Sequence, residues 1–91
     1  MAAGAAAAAA AIAEAIKASG VLVRVEPAEF RKILMRVKDP LVVTTQGGFF
    51  STNYQYLVSY KGLAFFTKSG APLELPTSCE TVAARSINIP G

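Results

Sequence analysis

Hydrophobic residues change their spacing several times along this chain, and each change predicts an element. Alanine dominates residues 2–18, interrupted by Ile12, Glu14, Ile16 and Lys17. Alanine has the highest intrinsic helix propensity and Ser19-Gly20 is a natural stop, so a helix is expected over about residues 5–18. Glu14 and Lys17 stand three apart on such a helix, close enough to pair. Val21 to Val25 is a short β-branched run with Val21, Val23 and Val25 on one face. Glu26-Pro27-Ala28-Glu29 then announces a second helix, because proline suits a first turn and carboxylates suit the positive end of the helix dipole. Within it Phe30, Ile33, Leu34 and Val37 follow the i, i+3, i+4, i+7 spacing of one buried face. Asp39-Pro40 ends it, since a residue before proline avoids the α region. Leu41 to Thr45 is apolar on both faces, the pattern of a central strand.

Strand, helix over 27–38, strand: the simplest arrangement is a βαβ unit with strands 21–25 and 41–45 parallel. The stripe of the second helix is then expected against a sheet containing Val23 and Val43. From Tyr54 the period becomes two, with Tyr54, Tyr56, Val58 and Tyr60 on one face and Gln55, Leu57 and Ser59 on the other. Lys61-Gly62 is a turn signal, and Leu63 to Thr67 is the returning strand of an antiparallel hairpin. Ser69-Gly70-Ala71-Pro72 and Pro76-Thr77-Ser78 are punctuation. Thr81 to Ala84 and Arg85 to Ile89 form one bent strand or two short ones before Pro90. The fold expected is therefore α+β: an Ala-rich N-terminal helix over 1–20, then one small domain over 21–91 with a βαβ unit, a hairpin and one or two short C-terminal strands.

Composition narrows the chemistry. The chain has 91 residues and a net charge of +3, with one Cys, no His and no Trp. An intrachain disulfide, a zinc finger and any mechanism needing an imidazole base are excluded. Of its 17 alanines, 12 lie within the first twenty residues. Without that tract the apolar share falls to an ordinary globular proportion. The tract has no basic region ahead of its apolar stretch, as a secretory signal would, and its two charges interrupt a membrane span. Small side chains do permit close helix–helix approach, so self-association through this helix is one expectation and membrane association through residues 2–18 a less favoured one.

Three features are candidate sites. The loop Gln46 to Asn53 follows a strand end, and its Gly47 and Gly48, with Phe49, Phe50, Ser51 and Asn53, could bring free backbone N–H groups to a ligand. It lacks the phosphate-loop lysine and the dinucleotide glycine spacing. Tyr54, Tyr56 and Tyr60, with Lys61 and Lys68 beside them, could form a protein-interaction surface, where tyrosine is enriched. Two lysines are too few to favour nucleic acid. Arg31, Lys32, Arg36 and Lys38 form a basic helix face near Arg24, the usual solvated side of an amphipathic helix. Cys79 has no His or second Cys to activate it and reads as a small buried or half-buried apolar residue. No carboxylates recur at metal-ligand spacing, and no cofactor or catalytic residue is expected.

Val23 to Phe30, Pro40 to Val43 and Tyr56 to Phe66 together resemble a family of short bacterial proteins of unknown function, over roughly residues 20–90. That resemblance implies a bacterial, cytoplasmic setting and supplies no activity. The functional expectation is a small non-catalytic interaction module that forms homo-oligomers through its N-terminal helix or an exposed strand edge. The alternatives are a ligand-binding domain or minor enzyme using the Gly47-Gly48 loop, and a membrane-associated protein.

Overall fold

Among the described residues two helices and five strands follow one another as α1 (Ala2–Ser19), β1 (Val21–Arg24), α2 (Pro27–Arg36), β2 (Leu41–Thr45), β3 (Tyr54–Tyr60), β4 (Leu63–Ser69) and β5 (Glu80–Ala84). The computed structural model describes residues 2–45, 53–84 and 87, with side chains from Ala9 onward. The fold is α+β, built on one mixed sheet of order β1-β4-β3-β2-β5.

β1 and β2 run in the same direction, joined by α2, as the βαβ pattern predicts. They do not touch, however. The β3–β4 hairpin is inserted between them, with β4 parallel to β1 and β3 antiparallel to β2. β2 is central, as its two-sided apolarity requires, with β3 on one side and β5 parallel to it on the other. The hairpin turns on two residues, Lys61 and Gly62, at φ 50° and 75°. Positive φ at both central positions is what a two-residue type I′ connection needs to match strand twist. The turn fixes the register, from Tyr60 opposite Leu63 to Tyr54 opposite Ser69.

Each face of the sheet carries one helix. α2 starts at Pro27 after an extended Glu26, and the Phe30 amide donates to the Glu26 carbonyl at 2.9 Å. Its Phe30, Ile33 and Leu34 are buried on Val42, Tyr56 and Val58, with Val25, Val37 and Phe65 packed around them. The expected partner Val43 lies on the opposite face, and the α2 core takes in Val42 instead. The reason is that β2 is covered on both sides, so neighbouring residues serve different layers. Asp39, at φ 50°, turns the chain from α2 into Pro40 and β2. Asp is one of the few residue types that tolerates that region.

α1 covers the other face. Ala9 and Ala13 are buried against Val43, Leu57, Ala64, Phe66 and Ala84, flanked by Ile12 and Ile16. Positions 9, 12, 13 and 16 again have the i, i+3, i+4, i+7 spacing. Alanine at the two central positions lets the helix axis approach the sheet closely. Glu14 and Lys17 pair at 3.0 Å, with the Lys17 side chain largely covered and Glu14 exposed. No helix among the described residues is long and apolar enough to cross a membrane. Of the C-terminal stretch, β5 and Ile87 are described; Ile87 is buried in the α1 layer.

Candidate functional site

The tyrosines of β3 follow the alternation read from the sequence, and all three pack on the α2 side of the sheet. Their exposure differs. Tyr56 is only 4% exposed, its ring 6.1 Å from that of Phe30 and tilted at 48°. Its hydroxyl accepts a hydrogen bond from the Leu73 amide at 2.7 Å. Tyr54 and Tyr60 are half-buried. Lys61 is exposed at the hairpin turn with its Nζ 5.4 Å from the centre of the Tyr60 ring, a cation–π distance. Lys68 is opposite Gln55 in the β3–β4 register, so it belongs to the row on the α1 side. The structure thus brings the three tyrosines and Lys61 together and separates Lys68 from them. Asn53 is exposed just before β3, while Gly47, Gly48, Phe49, Phe50 and Ser51 lie outside the described residues.

Residues 70–79 contain no helix or strand, yet they organise the α2 side. They carry the chain from β4, second in the sheet, to β5 at its far edge, across β3 and β2. Leu73, Leu75 and Cys79 pack onto the α2 core, and the Glu80 amide donates to the Pro40 carbonyl at 2.8 Å where β5 begins. Burial pushes the Cys79 thiol above its ordinary pKa, away from the thiolate that nucleophilic chemistry needs. Its Sγ lies 3.7 Å from the Glu80 carbonyl oxygen.

Between this segment and α2 lies a groove of about 580 Å³, walled by Ala28, Arg31, Lys32 and Met35 on the helix and by Glu74 to Thr77 on the segment. A second, smaller groove of about 460 Å³ runs between the end of α1, at Ile12 and Ile16, and Val37, Pro40 and Leu41. The helix half of the first groove was readable as a second i, i+3, i+4, i+7 face beside the buried stripe. Its other wall was not, because nothing local in residues 74–77 says which helix they meet.

β1 and β5 are the outermost of the described strands. The Val25 amide donates to the Phe66 carbonyl at 2.8 Å, one step beyond the β1–β4 ladder. In a parallel ladder bonded residues alternate, so Val21, Val23 and Val25 bond inward to β4. Leu22 and Arg24 therefore turn their N–H and C=O groups to the open edge. Val21 is 67% exposed there. No group of three or more His, Cys, Asp or Glu side chains suited to a metal ion occurs among the described residues. Comparison of the chain with protein-family models, with curated proteins and with solved structures returns no match in any of the three.

Proposed function

We propose that this protein is a small non-catalytic interaction module that self-associates along the free edge of β1. The observation that carries the reading is the exposed Val21 on an outermost strand whose Leu22 and Arg24 backbone groups face outward. Sheet proteins usually guard such an edge with charge, proline or a covering element. Here only Arg24 stands guard among the described residues, and the α1 stripe at Ala9 and Ala13 is already committed to its own sheet. The strand edge is therefore favoured over helix pairing.

A two-fold axis through Val23 gives the pairing its register. Leu22 would exchange hydrogen bonds with Arg24 of a second copy, and Val23 would meet its own equivalent. Val21 would lie opposite Val25 of the second copy, making one apolar row across the joint. In this register no two arginines stand directly opposite each other.

Light scattering of the full chain at micromolar concentration tests the proposal, with Val21→Lys and Arg24→Pro beside the native protein. The Arg24 amide points away from β4, so proline there removes an intermolecular donor and leaves the internal ladder whole. The native chain should be dimeric and both variants monomeric, with unchanged circular dichroism. A monomeric native chain, or variants that remain dimeric, would overturn it.

A further inference from the structure

We propose a second interaction site, distinct from the β1 edge: the groove between α2 and residues 74–77 binds an extended, acidic and apolar peptide segment of a partner protein. The groove is two-toned. Leu75 and Pro76 are half-buried in its lining, and Met35, 75% exposed, lines it from the helix. Arg31 and Lys32 line the same wall one turn below Met35, both exposed. Neither forms an ion pair among the described residues, and Glu74 is the one carboxylate in the lining. Among the described residues the lining therefore presents two solvent-exposed cations without an ion-pair partner and a single carboxylate, beside the apolar Leu75 and Pro76. That combination complements alternating carboxylate and aliphatic side chains.

Size and shape point to a peptide. From Ala28 to Met35 the helix rises about 10 Å at 1.5 Å per residue, which three residues of extended chain span. Ala28, Arg31, Lys32, Met35, Glu74 and Thr77 are all exposed, so the groove is open along its length. An anionic lipid tail would stay wet in such a channel, whereas a peptide turns its apolar side chains to Leu75 and Pro76 and leaves its backbone and carboxylates in water. Met35 suits the role, because its flexible thioether adapts to different side chains.

The probe is a fluorescein-labelled Glu-Leu-Asp-Leu-Glu peptide, read by fluorescence anisotropy against the full chain at low salt, with Lys-Leu-Lys-Leu-Lys as its counterpart. The acidic peptide should bind saturably and the basic one should not. Reversing both cations, Arg31→Glu with Lys32→Glu, should weaken binding by about tenfold or more. The double alanine variant should weaken it less, and Met35→Ser should weaken it without changing its salt dependence. Val21→Lys should bind as the native chain does, so a protein that proves monomeric can still pass this test. Equal binding of the two peptides, indifference to charge reversal at Arg31 and Lys32, or no binding at millimolar protein would each overturn the proposal.

Discussion

The Leu73 amide donates to the hydroxyl of Tyr56 across 2.7 Å, and it ties a segment without regular structure to the middle of the sheet. Residues 70–79 have no ladder of their own, so such anchors decide whether they lie flat on the α2 face. Replacing Tyr56 by Phe keeps the ring against Phe30 and removes only the acceptor. A partly buried donor left without its partner costs about 1–3 kcal/mol. We expect Tyr56→Phe to lower stability by that order in urea denaturation and to speed hydrogen exchange at Leu73. Unchanged exchange there would mean that this hydrogen bond does not hold the segment.

The α2 stripe supplies the next expectation. Phe30 is fully buried, whereas Arg31 and Lys32 are exposed on the neighbouring face. Deleting a large buried aromatic loses transfer energy and leaves a cavity, so Phe30→Ala should cost about 3–5 kcal/mol. Arg31→Ala and Lys32→Ala should each stay within about 0.5 kcal/mol. Chemical denaturation of the three variants tests the orientation of the helix, and equal effects would reverse it.

The difference between those residues was legible in the sequence, because helical periodicity is local. So was the hairpin: a two-residue turn at Lys61-Gly62 between alternating strands dictates its own register. That register also puts Lys68 opposite Gln55 and away from the tyrosine row, a consequence open to the sequence once the turn is placed. The insertion of the hairpin between β1 and β2 was not legible, since strand order depends on which edges meet far along the chain. The packing of α1 was half legible. A strand apolar on both faces, Leu41 to Thr45, demands cover on both, and Ala9, Ile12, Ala13 and Ile16 offered a second apolar helical stripe to supply it. High alanine content hid it, because small side chains read as weak core formers until the close approach they allow is seen.

Gly20 joins α1 to β1 directly beside the hairpin turn. A Cβ added there would run into the Gly62 carbonyl, lying 2.6 Å from its carbon. Gly20 does not need positive φ, so an alanine would fit its backbone and would ordinarily stabilise the chain through the unfolded state. The clash is with backbone, which yields only by moving the turn or the end of α1. Gly20→Ala should therefore destabilise by about 1–3 kcal/mol, the range for overpacked sites. Thermal unfolding measures it, and a raised Tm would show that the junction has room.

Cys79 gives a dependence on pH. Burial raises its thiol pKa in the folded chain, so the folded state holds the proton more tightly than the unfolded one. The resulting stabilisation is present below the unfolded thiol's pKa and is lost as pH rises through the folded value. Stability of the native chain should thus fall slightly more than that of Cys79→Ala between neutral and strongly alkaline pH. At neutral pH a thiol reagent should label native Cys79 more slowly than a model thiol. Faster labelling would require an activating group beside the sulfur.

Thr67 is the buried residue whose chemistry fits its surroundings least. It is fully buried in β4, opposite Tyr56 in the hairpin and on the same face as Phe65. Its Oγ1 has no hydrogen-bond partner among the described residues. A buried hydroxyl without a partner carries its desolvation cost, about 1–3 kcal/mol, with nothing to offset it. Valine has nearly the same shape and replaces the hydroxyl with a methyl that needs no hydrogen-bond partner. Thr67→Val should therefore raise stability, by about 1 kcal/mol on that scale. Thr67→Ser, which keeps the hydroxyl and deletes the methyl, should lower it by about 1 kcal/mol, the worth of one buried methyl group. Denaturant midpoints at constant m-value separate the two. If valine destabilises as serine does, the hydroxyl has a partner in solution, and this side of the sheet is held by a hydrogen bond as well as by its apolar packing.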